Sequence, residues 1–304
     1  MNERLYTVAR GFCMGAADII PGVSGGTMAF ILGIYERLIR ALRSFDLVWL
    51  RALARRDFRA AVARPDLGFL LSLFTGIVLA LLVFTRVIPV PHLLQEYPEP
   101  VYSLFFGLIL ASIVYLLNHF DGWRVTDGLM LAVGTLLGWL VFTLIPVETP
   151  DASWFLFVAG TLSICAMILP GISGSFVLLI LNKYTTVFNA IGYFNLSVLL
   201  PFVLGAVTGL LLFSRLLALL LDHCYRATMQ FIIGLLVASL WVIWPFQQRS
   251  YQVIGDSSKV IASTPVLPDR FDGLFMLSVL LFVVGCLAVW LLQSMVKRKM
   301  MNED

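Results

Sequence analysis

The sequence predicts an all-α integral membrane protein made of two inverted repeats, each a re-entrant, broken helical hairpin followed by three transmembrane helices. Three observations predict it. The 304 residues are 60% hydrophobic and 13% charged, with a mean hydropathy of +0.94, where an ordinary soluble domain carries about 25% charged residues. Two apolar stretches, 5–42 and 154–191, are too long for one crossing and are cut near the middle by related steps, PGVSGG (Pro21–Gly26) and PGISGS (Pro170–Ser175). Finally, landmarks of the first half recur in the same order in the second.

Taken in order, the first apolar stretch contains Arg10 and Asp18 and no small-residue cleavage site, so it reads as part of a mature chain beginning at Met1 and not as a signal peptide. Proline removes a backbone donor and glycine releases the helix, so 5–42 breaks at PGVSGG into a hairpin. Residues 44–64 interleave Phe45, Val48, Trp49, Leu53 and Phe58 with arginines, the pattern of an interfacial helix on anionic membrane lipids. Three spans of roughly 20 apolar residues follow at 67–89, 100–118 and 127–146. The second hairpin occupies 154–191, and three more spans are expected at 197–221, 226–245 and 272–296. Residues 1–150 thus form repeat 1 and residues 151–304 repeat 2.

Basic residues orient these elements. Arg4, Arg10, the eight arginines of 37–64, Arg124, Arg226, Lys297, Arg298 and Lys299 all fall in segments that this order assigns to one side, 15 of the 21 lysines and arginines. That side is expected to be cytoplasmic and to hold both termini. Charge does not distinguish a re-entrant hairpin from a kinked pair that crosses twice, since both leave the same loops on the same side.

The repeat is legible residue by residue. Pro21, Gly22, Ser24, Gly25 and Tyr35 match Pro170, Gly171, Ser173, Gly174 and Tyr184 at a constant offset of 149. GIVLALLVFTR (Gly76–Arg86) aligns with GAVTGLLLFSR (Gly205–Arg215), Gly107-Leu108 with Gly234-Leu235, and Asp127-Gly128-Leu129 with Asp272-Gly273-Leu274. Three spans per half is an odd number, so the halves must lie upside down relative to one another, the architecture of secondary transporters.

The breaks carry the chemistry. A half-helix starts after each loop, near Gly26 and near Ser175, and its first amides lack intrahelical partners, a setting that favours an anion. Ser24, Gly25, Gly26, Thr27, Ser173, Gly174 and Ser175 are the candidate substrate-binding residues, with Pro21, Gly22, Pro170 and Gly171 shaping the loops. The alternative is that the hydroxyls only cap the half-helices and the glycines only allow close packing. Two loops related by the repeat favour the substrate reading. Arg86 and Arg215 sit inside their spans at equivalent repeat positions, each after a hydroxyl residue (Thr85, Ser214). They either grip a phosphate through paired donors or snorkel to the interface. Asp18 is the intramembrane carboxylate; it pairs with an arginine, carries a coupling proton, or satisfies loop amides.

Other classes drop out. Cys13, Cys165, Cys224 and Cys286 lie at least 59 residues apart and the three histidines are isolated, which leaves no metal constellation and calls for no cofactor. A net charge of +3 does not suit a nucleic-acid partner. No nucleotide-binding motif is present, so the driving force is expected to be a proton or sodium gradient, the membrane potential or the substrate's own gradient. A homo-oligomer is compatible with this reading.

RGFCMGAADIIPGVSGGTMAFILGIYE (Arg10–Glu36) together with LPGISGSFVLLILNKY (Leu169–Tyr184) resembles the polyprenyl-phosphate (undecaprenyl-phosphate) transporter family, formerly the bacterial membrane domain of unknown function 368, over essentially the whole chain. The resemblance implies a flippase of the bacterial inner membrane, and no enzyme. It would return the polyprenyl phosphate carrier lipid to the cytoplasmic leaflet for peptidoglycan and surface-glycan synthesis. It also assigns the loop residues Asp18, Pro21, Gly22, Ser24, Gly25, Pro170, Gly171, Ser173 and Gly174 to the family motif; the arginines rest on the repeat alone. Within the repeat Gly26-Thr27 becomes Ser175-Phe176, so equal phosphate affinity of the two loops does not follow. A transporter of a small soluble anion would use the same helix ends in a closed aqueous cavity. A membrane lipid phosphatase would need a base beside Ser24 or Ser173, and no histidine is near either in sequence.

Overall fold

The computed structural model describes residues 3–19, 24–88, 93, 96–118, 120–144, 149–254, 257–268 and 271–301. Pro21 and Gly22 of the first expected loop lie outside the described residues.

The first broken segment consists of α1 (Glu3–Asp18), α2 (Gly25–Ile31) and α3 (Tyr35–Arg43). The second repeats the plan with α9 (Ser153–Ile168), α10 (Gly174–Ile180) and α11 (Tyr184–Gly192). Between them run α4 (Leu47–Ala54), α5 (Phe58–Ala63), α6 (Leu67–Leu82), α7 (Pro98–Asn118) and α8 (Val125–Phe142). After α11 come α12 (Leu196–His223), α13 (Tyr225–Val242), an antiparallel hairpin of β1 (Gln247–Ile254) with β2 (Ser257–Pro265), and α14 (Gly273–Met301). Helices α7, α8, α12, α13 and α14 are long and apolar enough to cross a membrane, so the chain is a multi-pass, all-α membrane protein.

Two expected elements come out differently. The span 67–89 is a 16-residue α-helix continued by a π-helical turn, Val83–Val87. Ile88, which precedes Pro89, is extended, because a residue before proline is pushed out of the α region. The single interfacial helix expected at 44–64 is two short helices. Arg56 turns into the left-handed region at φ 58°, and Asp57 opens α5 by accepting from Ala60 N at 3.1 Å.

Glycines set the helix pairs. A Cβ on Gly11 would lie 2.0 Å from Leu73 O, and one on Gly76 2.0 Å from Val8 O, so α1 and α6 touch backbone to backbone. Helices α9 and α12 meet the same way, where a Cβ on Gly160 would run into Phe202 O and one on Gly205 into Phe157 O. Reciprocal glycines also join α7 to α14 (Gly107 against Phe282 O, Gly285 against Leu104 O) and α8 to α13 (Gly134 against Phe231 O, Gly234 against Leu131 O). Every one of these glycines would force two backbones apart if it carried a side chain.

Helix α13 lies at the centre, with Ile232, Ile233 and Leu236 fully buried. Ion pairs gather the helix ends at two poles. At one pole Arg37 bridges Glu3 and Asp66 at 2.8 Å each, Arg43 meets Asp222 at 2.6 Å, and Arg226 holds the buried Asp127 together with the Asp121 and Gly122 carbonyls. At the other, the buried Lys183 donates to Asp151 at 2.5 Å and to Thr149 O at 3.0 Å. Glu3 and Arg37 flank the first break, and Asp151 and Lys183 flank the second. Each of these ion pairs therefore joins chain before a break to chain after it.

Candidate functional site at the helix breaks

The two breaks converge inside the bundle. Thr27, fully buried in the first turn of α2, accepts a 2.8 Å hydrogen bond on Oγ1 from the buried Gly171 N of the second loop. A Cβ on Gly26 would stand 3.0 Å from Met167 O and 3.2 Å from Ile168 O, and Tyr35 OH donates to Ile168 O at 3.1 Å. Gly171 has φ +93° and packs on Leu235 O of α13. A side chain there would meet both backbone strain and a neighbouring helix.

The first turn of α2 is capped by oxygens of its own chain. Asp18 Oδ1 accepts from Gly25 N at 2.6 Å and Ser24 Oγ from Gly26 N at 3.1 Å. Two of the amides expected to be open for an anion are therefore held by the chain's own oxygens, and Ser24, Gly25 and Gly26 are buried. The amide contact expected of Asp18 is present. Among the described residues no arginine lies within salt-bridge distance of it.

The second break lacks that carboxylate, since Met167 stands at the repeat position of Asp18, and Ser173 makes no side-chain cap of the kind Ser24 makes. Gly174 is buried and its carbonyl accepts from Ser163 Oγ at 2.9 Å. Ser173 and Ser175 place their hydroxyls 2.7 Å apart, and Ser175 is exposed. The first break thus presents a charged, self-capped end and the second an accessible pair of hydroxyls. Pro170 is buried beside them.

The chain matches the undecaprenyl phosphate translocase-like family over residues 14–261. The chain belongs to this family. It is also 37% identical over 272 residues to a polyprenyl-phosphate transporter of Vibrio cholerae serotype O1, covering 89% of this chain and 88% of that protein. A polyprenyl-phosphate transporter of Staphylococcus aureus is 32% identical over 256 residues, covering 78% and 85%. No solved structure matches significantly. The residues matched by the family include both breaks.

Among the described residues no hydrogen bond or ion pair ties either repeat arginine to that junction. Arg86 is exposed on the π-helical turn that follows α6, where the Phe84 ring lies 5.4 Å from that of Phe12 in α1. Arg215 lies beyond the end of α9 and donates to Phe45 O at 3.3 Å, on the arginine-rich pole. Tyr35, which the sequence marks only as a repeat position, and Met167 complete the junction. Their roles depend on a contact between residues more than 130 apart, which spacing does not disclose. Among the described residues no group of three His, Cys, Asp or Glu could hold a metal ion.

Proposed function

We propose that this chain moves polyprenyl phosphate between the leaflets of the bacterial cytoplasmic membrane, toward the cytoplasmic side, with the phosphate passing the junction of the two broken hairpins. The observation that carries the reading is the Thr27–Gly171 hydrogen bond, which ties the first break to the second within a family of translocases. Both relatives bear the name polyprenyl-phosphate transporter.

The two halves act as inverted repeats. In support, α1 packs on α6 as α9 packs on α12, and α7 pairs with α14 while α8 pairs with α13, each through reciprocal glycines. The ion pairs Glu3–Arg37 and Asp151–Lys183, at opposite poles, support re-entrant hairpins entering from opposite faces. The arginine-rich pole is the cytoplasmic one, by the excess of basic residues there.

A phosphate is the only polar part of such a lipid, so the tail stays in hydrocarbon while donors shield the headgroup. Ser173 and the exposed Ser175 receive it at the second break, while Ser24, Gly25, Gly26 and Thr27 line the first. Asp18 is the counter-charge that leaves or is protonated when the phosphate arrives, and a proton or sodium ion supplies the coupling. Arg86, exposed at the opposite end of α6 from the arginine-rich pole, captures outer-leaflet lipid. The test is leaflet transfer in liposomes by Ser173→Leu, which fills the hydroxyl pair with a branched apolar side chain. Transfer is expected to be lost with normal folding; wild-type transfer would reduce the loops to packing devices.

A further inference from the structure

At the arginine-rich pole the C-terminal ends of α3 and α5 and the last turns of α12 border an open cleft of about 380 Å³ lined by Arg40, Arg43, Ser44, Asp46, Arg64 and Arg215. Four guanidiniums from three separate elements face one space with a single carboxylate. That carboxylate is already committed. Asp46 receives Arg64 Nε on Oδ1 at 3.1 Å and Arg64 Nη2 on Oδ2 at 2.5 Å, and Oδ1 also takes Trp49 N at 2.9 Å. The Arg64 guanidinium holds this carboxyl down to about 2, so it stays ionised and clamps Arg64 at every physiological pH.

The other arginines differ in what engages them. Arg40 meets Glu36 at 3.3 Å and Arg43 meets Asp222 at 2.6 Å, both carboxylates lying off the cavity wall. Arg215 has one backbone carbonyl, Phe45 O at 3.3 Å, and no carboxylate within salt-bridge distance among the described residues. Its planar fork is thus left with donors to spare, the arrangement that suits a phosphate.

Position along α12 connects this cavity to the junction. Gly209 of α12 packs on Thr161 of α9, and Arg215 follows six residues later, about 9 Å further along the helix. The same helix therefore lines the second hairpin and then delivers a free guanidinium to the pole.

We infer that this cavity is a second anion site, distinct from the paired breaks, which binds a phosphate monoester through Arg215 with Arg40, Arg43 and Arg64 around it. The inference rests on the transporter reading for its place in the cycle, where it receives the headgroup leaving the junction on the cytoplasmic side. The chemistry it recognises is the phosphate, whether on a prenyl tail or free. A cavity of this size takes a phosphate with its waters.

The test uses the full chain in nanodiscs, with farnesyl phosphate, inorganic phosphate and farnesol as probes by calorimetry. Wild type is expected to bind farnesyl phosphate and not farnesol. Arg215→Gln is expected to weaken that binding about tenfold or more, Arg215→Lys to an intermediate degree, and Arg59→Gln, which removes an exposed charge at the same pole without touching the cavity, to leave it within twofold. Displacement of farnesyl phosphate by millimolar inorganic phosphate would show that the site takes the free anion; no displacement would show that it needs the lipid, and either result supports an anion site if Arg215→Gln removes it. Wild-type affinity in Arg215→Gln, or equal losses in Arg215→Gln and Arg59→Gln, would overturn the assignment. Leaflet transfer by wild type is measured alongside. Normal transfer with unaltered Arg215→Gln binding sinks this site alone, whereas absent wild-type transfer sinks the transporter reading and leaves the phosphate titration standing.

Discussion

Replacing Thr27 by valine removes one atom's chemistry and almost none of its shape. Thr27 is fully buried and its Oγ1 is the acceptor for Gly171 N at 2.8 Å. In Thr27→Val that buried N–H loses its acceptor, which costs about 1 to 3 kcal/mol. If the cycle alternates between joined and separated breaks, the joined state loses population by about 5- to 150-fold. Thr27→Ser keeps the hydroxyl and is expected to restore most of the loss, at the cost of a methyl-sized void. The assay is leaflet transfer of fluorescent polyprenyl phosphate in liposomes, paired with thermal unfolding of the same preparations. Thr27→Val should unfold at lower temperature and transfer lipid at a rate reduced at least fivefold. Valine behaving as wild type in both readouts would show that the bond between the breaks contributes nothing, and the junction would lose its standing as a site.

Three further outcomes follow from the same geometry. Gly76→Ala and Gly205→Ala insert a Cβ within 2.0 Å and 1.9 Å of a carbonyl oxygen on the partner helix; each should destabilise the fold by about 1 to 3 kcal/mol or more, read as loss of monodisperse protein after detergent extraction, while Gly68→Ala, with nothing within 4 Å, should be silent. Asp18→Asn keeps an oxygen for Gly25 N and removes the charge; a phosphate about 8 Å away is repelled by roughly 2 kcal/mol at an effective dielectric of 20, so prenyl phosphate should bind on the order of tenfold more tightly, and unaltered affinity would make Asp18 a helix cap only. In a background lacking the four native cysteines, cysteine at Ser257 should react with an impermeant thiol reagent in intact cells and cysteine at Asn302 should not; the reverse pattern would invert the orientation given to the chain.

Much of this was legible in the sequence because it depends on local chemistry. Proline with glycine ends a helix wherever it falls, so the two broken segments and the half-helices at Gly25 and Gly174 follow from PGVSGG and PGISGS. The long apolar stretches became α7, α8, α12, α13 and α14. What escaped depends on distant partners. That Thr27 meets Gly171 and that Arg215 sits with Arg40, Arg43 and Arg64 are consequences of helix packing. The shared Asp-Gly-Leu steps and the helix contacts give different registers for α8 and α14. The Asp-Gly-Leu steps align Asp127 with Asp272, yet in packing Gly134 faces Phe231 as Gly285 faces Leu104, and Phe231 and Leu104 are themselves equivalent through Gly234 and Gly107. Close backbone contact, and not a short shared word, sets the correspondence of α8 with α14.

The central claim is that the chain carries a phosphate-headed prenyl lipid through the membrane, and one measurement addresses it most directly. Purified protein is reconstituted into liposomes holding fluorescent polyprenyl phosphate, and an impermeant quencher reports the fraction of lipid in the outer leaflet over time. The account predicts that wild-type protein equilibrates the phosphate lipid between leaflets far faster than protein-free liposomes, while the corresponding uncharged prenol moves at the same rate with and without protein. Protein-free rates for the phosphate lipid, under imposed proton and sodium gradients as well as without them, would contradict it.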